Sequence, residues 1–316
     1  MKNNKLYKYI NFLIRITIGV FAVWLIYDKT KDNFNGTFQQ TILKEINFYL
    51  IGIVIIMMVL NWGLEAFKWR YSIRKVQEIS FFKAFRITIT GITLGLITPN
   101  RIGEIPSRAL LLNRQLFKEL TLKTIVSSFS QVLITLLLGV IGLMFSYHLL
   151  YLGVHPIILI VVLIMSTLLL FLIYFRVNKL DFFLNKIRYF RKQEIVFALS
   201  EFSSLELSII LLMSTIRYIV FTVQFYLILT AFSITLSSIN DVMLIPVCFM
   251  FASFIPTLLI SEIGVRGAVA VFVFGTISNL EIQIIMASIL LWLINIALPA
   301  LIGIFNLKEI KLFKEN

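Results

Sequence analysis

The chain has 316 residues, 59% of them hydrophobic and only 14% charged, with a mean hydropathy of +0.94, far outside the composition of soluble globular proteins. Each crossing of a roughly 30 Å hydrocarbon core consumes about 20 apolar residues, so this length holds several crossings and no large soluble domain. The formal charge of +13 would suggest nucleic acid in a soluble protein, but the lysines and arginines cluster in a few short loops, the signature of cytoplasm-facing loops, which argues against nucleic acid as a partner.

In chain order, Lys2, Lys5 and Lys8 precede an apolar run over residues 10–26 that resembles a signal peptide. The residues after it, Tyr27, Asp28 and Lys29, offer no small-residue cleavage site, so the run is expected to be a retained first helix. Further spanning helices are predicted near residues 46–67, 122–146, 156–175, 207–232 and 282–306, which with residues 10–27 makes six. Residues 68–86, 108–123 and 176–192 are strongly basic and are assigned to the cytoplasm; residues 28–45, 147–155 and 233–241 lack that bias and face outward. Both termini then fall on the cytoplasmic side of a cell inner membrane.

Two segments enter the membrane without a simple crossing. Residues 87–97 make only about 16 Å of helix before the break Thr98-Pro99-Asn100-Arg101-Ile102-Gly103, and basic segments flank the pair, so it enters from the cytoplasm and returns there. Residues 242–260 and 264–277, interrupted by Pro246, Pro256 and Gly264, lie between neutral loops and enter from outside; two short full crossings would leave the same ends outside. The expected fold is therefore an all-α polytopic membrane protein. It has one transmembrane domain whose halves, about 46–147 and 205–306, are inverted repeats, each with a broken hairpin.

Irregular backbone at membrane depth must be buried in protein or line a polar cavity. Arg101, Glu104, Arg108, Arg217, Glu262 and Arg266 fall at or near these breaks or inside an apolar helix, where ionisable groups are costly and usually functional. New helices are expected to start after each break, one with Pro106 in its first turn and one at Gly264, presenting free amides beside arginine forks. A phosphate or carboxylate is the natural guest. The plainer alternative pairs Arg101 with Glu104 and Arg266 with Glu262 simply to close the broken ends, and lets Arg217 snorkel from a differently set helix end. Arg108 and Arg114 also suit cytoplasmic surface charge, and Lys68, Arg70 and Arg74 suit topology signals.

Other chemistry is sparse. There is no phosphate-binding G-x-x-x-x-G-K-[ST] loop, so no ATP hydrolysis, no enzymatic activity and no cofactor are expected. Cys248 is the single cysteine, which excludes an intrachain disulfide and a cysteine-based zinc site. His148 and His155 flank an outer loop without an acidic partner, and Trp24, Trp62, Trp69 and Trp292 suit an aromatic belt at helix ends.

The run ITPNRIGEIPSRALLL over residues 97–112 and the stretch IPTLLISEIGVRGA over residues 255–268 resemble the two polar motifs of the lysylphosphatidylglycerol synthase transmembrane-region family, a flippase-like domain. The resemblance covers roughly residues 10–306. It implies a lipid flippase-like fold and places the family's polar site on Pro99, Arg101, Gly103, Glu104, Arg108, Gly264 and Arg266. Where the family usually carries Gly-Gly-x-Gly-x-Arg-Glu, this chain has Ser261-Glu262-Ile263-Gly264-Val265-Arg266-Gly267, so its second acidic group lies on the other side of the glycine. The sequence also ends at Asn316 without the aminoacyl-transferase domain of bifunctional members and is not expected to make that lipid. The expected activity is binding and translocation of a membrane lipid with an anionic headgroup, held by Arg101, Arg266 and Arg217 and oriented by Glu104 and Glu262. A homo-oligomer is compatible with it. The rivals are a membrane glycosyltransferase using a polyisoprenyl-phosphate donor, with Asp28 and Asp32 as acidic groups, and a secondary transporter of a small anion.

Overall fold

A computed structural model describes residues 46–96, 98–150, 152–179, 199–257 and 259–309. The predicted first helix, Trp24, Asp28 and Asp32 lie outside them. Among the described residues five helices are long and apolar enough to cross a membrane, matching the other five predicted spans. They are α1 (Phe48–Ile73), α4 (Phe117–Ser146, continued by a 3₁₀ turn to Leu149), α5 (Pro156–Phe175), α6 (Ser204–Ala231) and the run 281–306. That last run comprises α9 (Glu281–Trp292), a π-helical turn (Leu293–Ala297) and the start of α10 (Leu298–Glu309). The chain is an all-helical, polytopic membrane protein.

Between these spans lie two hairpins of shorter helices. The first is α2 (Phe81–Gly95), a 3₁₀ turn (Pro99–Arg101) and α3 (Glu104–Leu112); the second is α7 (Ile239–Phe254) and α8 (Leu259–Phe274). At 1.5 Å per residue the longest of the four is about 24 Å, short of a 30 Å core. α2 begins six residues before the predicted re-entrant segment because Ser80 caps it, accepting from the Lys83 amide at 3.3 Å. The second hairpin corrects two expectations. Pro246 sits inside α7 without ending it, since neighbouring helices in a membrane tolerate the lost amide bond, and Gly264 lies within α8 instead of starting it. A buried glycine costs a helix only about 1 kcal/mol relative to alanine, too little to break one that is packed on both sides. Among the described residues the break in this half is at 255–257, around Pro256.

α1 and α6 cross the bundle antiparallel. At one end the Asn47 amide donates to the Ala231 carbonyl at 3.0 Å; at the other Arg74 reaches Glu206 at 2.8 Å, and Asn61 bonds Gln224 between them at 3.1 Å. Part of the remaining packing comes in matched pairs: α2 lies on α10 as α7 lies on α4, α3 on α4 as α8 on α9, and α1 on α4 as α6 on α9. Each hairpin thus leans on the last spanning helix of the other half.

Glycines permit both crossings. A Cβ on Gly142 of α4 would stand 2.6 Å from the Met243 carbonyl oxygen of α7. One on Gly303 of α10 would stand 2.7 Å from the Ile89 carbonyl of α2 and collide with the Thr93 hydroxyl, which donates to the Ala300 carbonyl at 2.7 Å. Gly303→Val is therefore expected to cost about 1–3 kcal/mol through forced separation of α2 and α10. Its measure is the thermal unfolding midpoint in detergent, and an unchanged midpoint would contradict this packing. α5 stands at the periphery, with Ile158, Val161, Met165, Leu168 and Leu172 all more than half exposed, a face suited to lipid.

Candidate functional site

The two breaks meet. Asn100 in the first accepts the Thr257 amide on its Oδ1 at 2.6 Å and donates its own amide to the Thr257 carbonyl at 3.0 Å, closing a two-bond bridge to the second. Asn100 and Arg101 hold φ of 48° and 56°, in the left-handed region that costs non-glycine residues free energy unless the surroundings fix it. Pro99 opens this turn, and Gly103 ends it where a Cβ would lie 2.6 Å from the Thr98 side chain. The Gly103 amide donates instead to the Thr98 hydroxyl at 2.8 Å.

The left-handed turn aims Arg101 across the interface, so it pairs with Glu262 of the other half, at 3.9 Å, and not with Glu104. Glu262, in the first turn of α8, also receives Arg266 one turn on, Nε at 3.1 Å and Nη2 at 2.9 Å. Gly264 lies on the helix between them without a charge to contribute. Glu104 pairs with Arg108 across one turn of α3. α3 can approach this closely because Gly91 and Gly95 of α2 face it: added Cβ atoms would stand 3.0 Å from Arg108 Cγ and 3.0 Å from Glu104 Cβ.

Arg108 is not surface charge. It is 2% exposed, its Nη1 donates to Glu65 of α1 at 2.9 Å, and its guanidinium lies 5.9 Å from the Trp69 ring. Glu65 is the hub: Lys68 Nζ is 2.9 Å away and Arg217 Nη1 3.2 Å away on its other oxygen. Arg217 does not snorkel. It sits near the middle of α6, donating from Nε to Asn61 at 2.8 Å and from Nη1 to Gln131 of α4 at 3.2 Å, with Trp62 5.0 Å below it. Asn61, at the same level of α1, is roughly 18–20 Å from either helix end.

These groups surround one cavity of about 460 Å³, within the ordinary size of small-ligand sites. Among the described residues five cations line it, namely Lys68, Arg101, Arg108, Arg217 and Arg266, against the lining carboxylates Glu65 and Glu104 and against Glu262, which pairs with Arg101 and Arg266, an excess of two positive charges. Part of its wall is apolar, built by Phe221, Phe249 and Ile296. Ile102, Val132 and Ser253, which also line it, are exposed. Among the described residues no cluster of three or more His, Cys, Asp or Glu could hold a metal.

Sequence reasoning missed Glu65, Lys68 and Asn61. Lys68 was expected as a loop charge, but α1 continues to Ile73 and carries Lys68 inside at 1% exposure. Arg70 and Arg74 do remain at the helix end, where Arg74 and Lys75 both reach Glu206 at 2.8 Å. Glu65 was findable, being a carboxylate within a predicted span. Trp62, Trp69 and Trp292 are buried and form no belt; Trp62 donates to the Asn295 carbonyl at 2.9 Å and Trp69 to Thr124 at 2.9 Å, uses for an indole N–H that an interface would have left to water.

No curated protein matches this chain. Residues 12–303 match the family described as lysylphosphatidylglycerol synthase TM region, which takes in both hairpins and every charged residue of the cavity. With nearly its whole length covered, the chain belongs to that family of membrane proteins of lipid-related function.

Proposed function

We propose that the protein is a lipid translocase that takes an anionic phospholipid headgroup into the mid-membrane cavity while the acyl chains stay in the bilayer. One observation carries this reading: five cationic side chains against three carboxylates around a single cavity where the two hairpin breaks meet. An excess of two positive charges beside a cavity at membrane depth is costly unless a guest supplies negative charge, and guanidinium forks suit phosphate oxygens. The exposed apolar rim at Ile102 and Val132 favours a lipid over a small soluble anion, because it gives acyl chains a way to remain outside.

The antiparallel pairing of α1 with α6 and the matched packing of the hairpins support treating stretches 46–147 and 205–306 as inverted repeats about this site. Rocking of one hairpin against the other, through the Asn100–Thr257 bridge and the long Arg101–Glu262 pair, would expose the cavity to each side in turn. The basic end of α1 and both termini face the cytoplasm of an inner membrane, and the protein performs no covalent chemistry of its own. The test is mass spectrometry of lipids retained after gentle purification. Anionic phospholipid enriched severalfold over the bulk membrane is expected, and a retained profile equal to the bulk would contradict the proposal.

A further inference from the structure

Lys68 and Lys123 are the two buried lysines among the described residues, each 1% exposed, and they lie on a polar seam that leads out of the cavity. Two contacts fix how α1 and α4 run past each other. Trp69 Nε1 donates to the Thr124 hydroxyl at 2.9 Å, and Arg217 bonds both Asn61 and Gln131, at 2.8 and 3.2 Å. In that antiparallel register Ser127 is level with the turn from Glu65 to Lys68, and Lys123 is level with Arg70. Asn61, Glu65, Lys68 and Ser72 follow at helical spacing on α1, as Gln131, Ser127 and Lys123 do on α4, so a polar file runs from the cavity toward the basic end of α1. At its far end Lys123 Nζ reaches Glu201 Oε2 at 2.8 Å, and the Glu201 side chain is 22% exposed, open to water. Ser127 is 1% exposed and its hydroxyl has no hydrogen-bond partner among the described residues. Lys68 has three N–H bonds and, among those residues, one partner, Glu65 at 2.9 Å. Idle polar groups inside a bundle are expensive, and these stand between two ionisable side chains, where bridging water and a moving proton would use them.

We propose that Lys68 carries a proton that travels with the guest, and that Ser127, Lys123 and Glu201 relay this proton between the cavity and the water at the basic end of α1. The inference rests on the anionic-lipid reading above and adds its driving force: the protein is a lipid–proton symporter. Glu65 is shared by Lys68, Arg108 of α3 and Arg217 of α6, and of these three cations only the lysine can give up its proton, because a guanidinium stays charged. From the other helices packed on α1, α4 brings the buried Lys123, whereas the Lys83 and Arg86 of α2 are exposed. In the empty cavity a charged Lys68 adds to an excess of positive charge that an anionic guest relieves. Guest and proton therefore each bind better when the other is present. Per cycle one N–H bond forms and one breaks. A neutral Lys68 takes a proton that has entered past Glu201, Lys123 and Ser127, then gives it to water in the cavity once that opens to the other side; the reverse sequence runs equally well. One negative charge and one proton move together, so the step is electroneutral.

The experiment reconstitutes the purified full chain into phosphatidylcholine vesicles that carry a trace of acyl-labelled phosphatidylglycerol, with the interior held about one pH unit above the exterior. The distribution of the label between leaflets is followed against empty vesicles under the same gradient. One pH unit is a tenfold difference in proton activity, so one-to-one coupling is expected to enrich the lipid about tenfold in the leaflet on the alkaline side. Reversing the gradient should reverse the enrichment. Lys68→Arg and Lys123→Arg keep each positive charge but cannot release a proton, so at insertion equal to wild type both should lose the enrichment. Lysines that serve only as ion-pair partners would tolerate arginine, and enrichment that persists in both variants overturns the relay. Should Lys68→Arg fail to insert, Lys123→Arg carries the variant test, and the wild-type measurement stands without either. Lipid transfer whose final distribution ignores the gradient overturns the coupling while leaving the anionic-lipid reading intact. If transfer never exceeds that in empty vesicles, with or without a gradient, both fall together.

Discussion

Glu65→Ala is expected to be the most damaging single substitution in the described structure, lowering the thermal unfolding midpoint by about 10 °C or preventing accumulation in the membrane. Its carboxylate is 4% exposed and shared by three cations, Lys68 and Arg108 at 2.9 Å and Arg217 at 3.2 Å. Removing one partner of a buried charge pair typically costs about 3–5 kcal/mol, because the partners left behind cannot be hydrated. Here three are left behind, drawn from three different helices. The effect should therefore come chiefly from stranded positive charge, and a second substitution separates that cause from loss of packing. Glu65→Gln combined with Lys68→Met removes one charge of each sign and keeps most of the volume, so it should recover at least half of the lost midpoint. Failure of the double variant to recover anything would mean that the stranded Lys68 charge is not the cause of the loss, and Glu65 would lose its place as hub.

Arg217→Ala is expected to leave the fold largely in place and to reduce lipid transfer about 100-fold. The side chain is held by Asn61, Gln131 and Glu65 and stacks over Trp62, so its guanidinium is aimed into the cavity before any guest arrives. Charge-assisted hydrogen bonds to a phosphate are worth about 1.5–3 kcal/mol, and the upper figure corresponds to roughly 100-fold. Deleting Arg217 also relieves Glu65 of one of its three partners, which the other two can compensate. Arg217→Lys keeps the charge but loses the planar fork and its stacking on the indole, so an intermediate loss of about tenfold is expected. Rates are read in proteoliposomes at matched insertion, and a rate for Arg217→Ala within twofold of wild type would remove it from the site.

Much of this arrangement was legible because a membrane punishes irregular backbone and buried charge. The break 98–103 and the one at Pro256 were marked by proline within runs too short to cross, and the charges beside them had to be there for a reason. Five spans emerged from hydropathy alone. What hydropathy cannot see is the inward face of a helix that it accepts as a span. The predicted end at residue 67 put Lys68 into a loop, whereas α1 runs two turns further because Lys68, Trp69, Ser72 and Ile73 are turned into the bundle. The partner of Arg101 was likewise out of reach. Sequence spacing favours Glu104, three residues on, but a left-handed turn at Asn100 and Arg101 sends the side chain to Glu262, more than 150 residues away. Pro246 and Gly264 were given too much weight, since a residue that ends an isolated helix can be carried through one that is gripped by its neighbours.

The departure from the family's usual second motif gains a structural sense. With its acid at position 262, ahead of Gly264, this chain puts the carboxylate one helical turn before Arg266 and within reach of Arg101, so one acid serves both halves. An acid directly after Arg266 would lie about 100° further around α8 and could not make both contacts from the same face.

The central claim, that this cavity conducts an anionic lipid headgroup across the membrane, is tested most directly by reconstituting the purified wild-type chain into vesicles that carry a fluorescent phospholipid in one leaflet. The rate at which the label becomes accessible on the opposite side is followed for phosphatidylglycerol and for phosphatidylcholine. The predicted result is transfer of the anionic lipid at least tenfold faster than in empty vesicles and faster than that of the zwitterionic lipid. Equal rates in protein-containing and empty vesicles, with the protein correctly inserted, would contradict it.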